Sequence, residues 1–229
     1  MAKKKGILKK IIFGIIGTII LFVVIVIVNL IIVGKNESII SKGQPIENYS
    51  ENNYALLIID IQEATTGDVS MYPFFIKNSD ALIKNINQIA ESFKIQNLPV
   101  VYIRSEITNP LVNLINSSYA KGHPGAKYDK RLKTVSNLEV VKKCKDSFRN
   151  TNLDSILTSN KVNELYIVGL DAAQCVNATV EAAQNRNYRV NLIEEAILSK
   201  SKEMKDSMMV NFKDRGVRVI NINSLNIIK

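Results

Sequence analysis

The sequence predicts an α/β fold: a doubly wound, mostly parallel, six-stranded sheet with helices on both faces, preceded by one transmembrane helix. Two observations carry this. After residue 53, six short apolar runs alternate with helix-period patterns. Before it, Ile11 to Val33 is a run of 23 residues without a charge. At about 1.5 Å per residue such a helix spans a hydrocarbon core of roughly 30 Å.

The chain divides into a basic N-terminus (1–10), the transmembrane run (11–33), a polar linker (34–53) and one α/β domain (54–229). Lys3, Lys4, Lys5, Lys9 and Lys10 precede the run, and no acidic residue occurs before Glu37. Positive charge stays in the cytoplasm, so the expected topology is N-terminus inside and domain outside. A cleavable signal peptide is the competing reading. Its apolar core would usually be about 7–15 residues, ending in a small-x-small site. Leu30 to Gly34 offers no clean site, so an uncleaved anchor is expected.

The strands are expected at 54–61, 98–103, 138–142, 164–169, 188–193 and 217–222. Most are continuously apolar, as in strands covered on both faces. Between them lie three helical stripes. Leu82, Ile86, Ile89 and Phe93 form the first, with Ser79 or Asp80 as N-cap. Val176, Thr179, Val180 and Ala183 form the second. Met204, Met208 and Phe212 form the third, stopped by Gly216. The long segment 104–137 carries Pro110, Gly122, Pro124 and Gly125 and has the length of a lid or binding loop.

The net charge is +9, but without the five N-terminal lysines 25 basic and 21 acidic residues remain. That is an ordinary surface, with no basic patch interleaved with aromatics, so no nucleic-acid partner is expected. Two cysteines, Cys144 and Cys175, make no disulfide framework.

Three residues sit where a parallel sheet gathers its chemistry, at carboxyl ends of strands. Asp60 follows Leu57-Ile58-Ile59, Lys142 ends Leu138–Lys142, and Cys175 opens a helix after Leu165–Gly169. A carboxylate, an amine and a thiol in one crevice would be a nucleophile with its base and a stabilising cation. N–H groups at a helix start should lower the thiol pKa and hold a developing oxyanion. Lys142 and Cys144, two apart on one strand, share a face. Oxidation could then join Cys144 to Cys175.

Asp60-Ile61-Gln62, Lys142 to Phe148, Thr151-Asn152-Leu153, and Val168 to Val176 resemble the isochorismatase-like cysteine hydrolases. These include nicotinamidases and carbamoylsarcosine amidases. The likeness spans about 54–222, and Gly122 to Asp129 looks like a loop of an amidase branch. It implies Cys175 as nucleophile, Asp60 as base and then acid, and Lys142 as the cation that keeps both in their charged forms. It implies a cis peptide in the region of Leu170 and Asp171, and an oxyanion hole from the backbone N–H groups of Ala172 and Cys175. Gln62 would orient Asp60 or touch substrate. His123 is the only histidine and is read as a turn residue, so no metal and no other cofactor is expected. Isochorismate-cleaving members lack the cysteine, which disfavours that reaction here. The expected activity is hydrolysis of a C–N bond in a small amide, carbamoyl or ureido compound by a membrane-anchored enzyme. The alternative is a tethered binding or scaffold domain that keeps the fold without activity. The resemblance also implies a homo-oligomer.

Overall fold

A computed structural model describes residues 2–47 and 49–225. Met1, Asn48 and the predicted domain's last residues, 226–229, lie outside it.

Helix α1 runs from Ala2 to Glu37. Its apolar side chains, from Ile11 to Ile32, are largely exposed, and the segment Lys9–Glu37 is long and apolar enough to cross a membrane. The helix continues past the uncharged run into the predicted linker. Beyond it the chain is tied down. Ser41 N–H donates to Asp146 Oδ2 at 2.8 Å, Asn185 donates to Ser41 C=O, and Ile46 N–H donates to Arg186 C=O at 2.9 Å. Ile40 and Ile46 pack against the core.

The domain holds β1 (Tyr54–Ile59), α2 (Pro73–Ile95), β2 (Val100–Ser105), α3 (Pro110–Ile115), β3 (Leu138–Lys142) and α4 (Leu153–Ser159). There follow β4 (Glu164–Gly169), α5 (Asn177–Gln184), β5 (Arg189–Ile197), α6 (Lys202–Asp214) and β6 (Arg218–Ile220). The six strands form one sheet in the order β3-β2-β1-β4-β5-β6, every pair parallel. One face packs under α2 through Leu82, Ile86, Ile89 and Phe93. The other packs under α4, α5 and α6 through Leu153, Leu157, Val180, Ala183 and Phe212. Strand order reverses beside β1, where β2 lies on one side and β4 on the other. Ligands of doubly wound sheets bind at such a point, outside the carboxyl ends.

Two local expectations change. α2 starts at Pro73, with Tyr72 at its N-cap, because Pro suits the first helical position. Ser79 and Asp80 therefore lie within the helix and do not cap it. In α6 it is Met209 and Phe212 that are buried, while Met204 is exposed. Gly216 does stop that helix, with φ +79°. The segment 104–137 holds α3 and a short 3-10 turn, Pro124–Ala126. His123 caps that turn, its Nδ1 accepting from Gly125 N–H at 3.0 Å.

Gly169 decides how β4 leaves the sheet. Its φ is +116°, and a Cβ there would lie 2.1 Å from the Ile59 carbonyl oxygen. Only glycine lets β4 pass β1 this closely and then turn.

Candidate active site

The carboxyl ends of β1, β3 and β4 bring Asp60, Lys142 and Cys175 together. Lys142 Nζ donates to Asp60 Oδ2 at 2.9 Å and lies 3.2 Å from Cys175 Sγ. It also meets Ser105 Oγ at 2.8 Å and Cys144 C=O at 3.3 Å. Lys142 is 0% exposed and Asp60 is 4% exposed. An unpaired charge at such depth would be costly. Here the ammonium has a partner in each direction.

Asp60 is positioned by its backbone. It takes a left-handed conformation, φ +54°, just past β1, unusual for a residue with a Cβ. Its N–H donates to Ile103 C=O at 2.9 Å, and its C=O accepts from Thr65 Oγ1 at 2.6 Å. Ser105 Oγ donates to its Oδ1 at 2.9 Å. Ser105 is the residue that sequence reading missed. It ends β2 in register with Lys142, and the available signal was its place at a strand end, between Arg104 and Glu106. Those two pair with each other at 2.8 Å.

Gln62 is not among the residues that line the pocket over these groups. It is 0% exposed. Its Nε2 donates to Ser105 C=O and Ala126 C=O, both at 2.9 Å, and its Oε1 accepts from Ser105 N–H at 2.8 Å. The side chain fixes Ser105, and it fixes Asp60 only through that serine.

Cys175 lies in a single π-helical turn, Ala172–Val176, that runs into α5. Such turns recur at functional sites. The peptide between Leu170 and Asp171 is cis, and the Asp171 carboxylate caps the turn by accepting from Ala173 N–H and the Ser199 hydroxyl. Of the two N–H groups expected to form an oxyanion hole, that of Ala172 is already occupied. Ala172 is 0% exposed, and its N–H is taken by Leu198 C=O at 2.8 Å. Asp171 N–H has no partner among the described residues, and Asp171 and Cys175 both line the pocket.

The electrostatics also depart from expectation. Burial first, and then the Asp60 carboxylate, push the Cys175 thiol up to about 12 against the pull of Lys142. For Lys142, burial works against charge, but Asp60 and Cys175 more than offset it and hold the ammonium above its ordinary value. With the thiol protonated, one ammonium faces one carboxylate and the cluster is neutral. A thiolate would add a second anion beside the buried Asp60 carboxylate.

The pocket over these groups has a volume of about 260 Å³. Tyr72, Phe75, Ile107 and Tyr119 give it apolar walls, two of them from the long segment 104–137. Lys143, Lys145 and Lys200 lie around it, and so does Glu37 from the last turn of α1. Cys144 lines the same pocket, and both thiols are free. Among the described residues, no three His, Cys, Asp or Glu side chains gather as a metal site.

Residues 54–224 match the family model described as the isochorismatase domain. The chain is 29% identical over 164 residues to an N-carbamoylsarcosine amidase from Arthrobacter sp, covering 64% of this chain and 60% of that protein. Among solved structures, an N-carbamoylsarcosine amidase from Thermoplasma acidophilum superposes with a TM-score of 0.65 at 23% identity, over 76% of this chain and 99% of the other. An isochorismatase family protein from Desulfovibrio vulgaris gives 0.69 at 18% identity, over 77% and 97%.

Proposed function

The chain belongs to the isochorismatase domain family, and from that premise we propose that it is a membrane-anchored cysteine hydrolase. It cleaves a C–N bond in an amide, carbamoyl or ureido compound. The observation that carries this reading is the single ammonium, Lys142, bonded at once to a carboxylate and a thiol at the floor of a pocket.

Asp60 takes the proton of the Cys175 thiol as sulfur attacks the carbonyl carbon. The carbonyl oxygen becomes an oxyanion, received by the N–H groups of Asp171 and Cys175. As the tetrahedral adduct collapses, the C–N bond breaks and the leaving nitrogen takes that proton back from Asp60. An acyl thioester remains. Water then attacks it, giving a proton to Asp60, and the sulfur leaves and is reprotonated. The sum is amide plus water to acid plus amine. Because the thiol rests protonated, Lys142 acts as the attack begins: it stays charged and offsets the second anion as it forms. Ser105 holds Asp60 and Lys142 in register. The relative named for an N-carbamoyl substrate supports including carbamoyl and ureido compounds.

Helix α1 serves as the anchor, with its lysine-rich start in the cytoplasm and the domain outside. The test is a panel of amides and ureido compounds offered to the full chain, with intact mass read after acid quench. An acyl adduct on Cys175, absent in Cys175→Ala, is expected. Turnover that persists in Cys175→Ala would end the proposal.

A further inference from the structure

A second cavity, of about 350 Å³, lies between the end of α1 and the domain. Val33 and Asn36 of α1 form one wall, and Val141 and Arg149 of the domain belong to the other. Glu37, Ile107, Lys143 and Cys144 line both this crevice and the pocket that holds Cys175. The two cavities therefore share walls.

Val33 is the last residue of the uncharged run, whose 23 residues span about 34 Å against a hydrocarbon core of about 30 Å. Glu37 stands one turn further, about 6 Å along the helix. On the membrane-anchored reading, the crevice begins at the edge of the lipid, and it shares walls with the pocket that holds the thiol. Its lining is mixed in the manner of that depth: apolar at Val33, Ile107 and Val141, and donor-rich at Asn36, Lys143 and Arg149. Helix α3 packs beside α1 and exposes Leu114 and Ile115, which extends the apolar surface next to the entrance. The domain is held in this pose by the bonds of the 38–46 segment, by Lys145 N–H to Glu37 C=O at 3.4 Å, and by Arg149 on Asn36 C=O.

We propose that the substrate is an amphiphile, an amide carrying an alkyl or acyl chain. It reaches Cys175 from the lipid through this crevice, while its chain stays against Val33. The proposal rests on the membrane-anchored hydrolase reading and adds the class of compound that the site takes.

Two thiol reagents that differ only in the tail test it, N-methyl and N-dodecyl iodoacetamide. The full chain is placed in phosphatidylcholine vesicles, insertion is checked by flotation, and alkylation of Cys175 is read by peptide mass. Each methylene buried in an apolar site favours binding by about fourfold, so even a partly held tail gives a dodecyl-to-methyl rate ratio above about ten. Val33→Trp fills the crevice and should lower that ratio at least about fivefold. Ile20→Trp, far along α1, should leave it high and so subtracts simple partitioning into the bilayer. A ratio near one, a ratio equally high in Val33→Trp, or a chain that does not float with the vesicles would each overturn the proposal. Failure of the hydrolase reading itself shows elsewhere, in amide turnover that does not depend on Cys175, whatever the tail.

Discussion

Replacing Asp60 with Asn separates two properties that a simple base model would move together. Asp60 and Cys175 bond the same Nζ, at 2.9 and 3.2 Å, so carboxylate and sulfur lie within about 6 Å of each other. At an effective dielectric of about 20, two charges at that distance repel by about 3 kcal/mol, or about two pH units. Asp60→Asn removes that repulsion and leaves Lys142 with only the thiolate as counter-ion. The thiol, held near 12 in the native site, then titrates about two pH units lower. At neutral pH the thiolate fraction rises about 100-fold. Intrinsic nucleophilicity falls with pKa by about half as much on a logarithmic scale. Alkylation by N-methyl iodoacetamide should therefore become about tenfold faster. Amide hydrolysis should fall by about 10²–10⁴, because proton transfer to and from the reacting groups is lost. The assay is a pair of pH–rate profiles, one for alkylation and one for turnover. Alkylation of Asp60→Asn at or below the wild-type rate would show that the carboxylate does not suppress the thiolate, and the charge argument would fall.

Three further substitutions probe the supports of the site. Lys142→Met strands the buried Asp60 carboxylate and should cost about 3–5 kcal/mol in chemical denaturation, with part of the loss recovered in the Asp60→Asn/Lys142→Met double variant; additive losses would mean that the pair is not coupled. Gln62→Leu orphans buried backbone groups of Ser105 and Ala126 at about 1–3 kcal/mol each, and KM should stay unchanged because the side chain does not reach the pocket; a KM that rises while stability holds would restore it as a substrate contact. Gly169→Ala drives a Cβ onto the Ile59 carbonyl at a positive φ and should cost about 4 kcal/mol or more; a near-neutral melting shift would place β4 farther from β1.

Much of this was legible in the sequence because parallel strands advertise themselves. Leu56 to Ile59 and Tyr166 to Val168 are apolar without alternation, since both faces are covered, and the polar residue that ends such a run marks the sheet edge where ligands bind. Asp60 and Lys142 were found that way. Ser105 was not, because a serine after Arg104 carries no pattern and only the pairing of β2 with β3 sets it beside Lys142. That Ala172 N–H is already engaged was not legible, because it donates to the carbonyl of Leu198, 26 positions away. The thiol's raised pKa escaped for a related reason: a helix start is visible locally, whereas the desolvation that opposes it comes from groups brought around the sulfur by the fold. Glu37 was invisible as a pocket residue, since nothing near it in sequence points to Cys175.

The docking of residues 38–46 has a practical consequence. A soluble version trimmed at residue 45 would lose Ser41, the partner of Asp146 and Arg186, and with it the Glu37 wall. Asp60, Lys142 and Cys175 would remain, in a vessel with one side missing. On the proposed function, kinetic constants from such a truncate would describe a more open and less selective catalyst than the full chain.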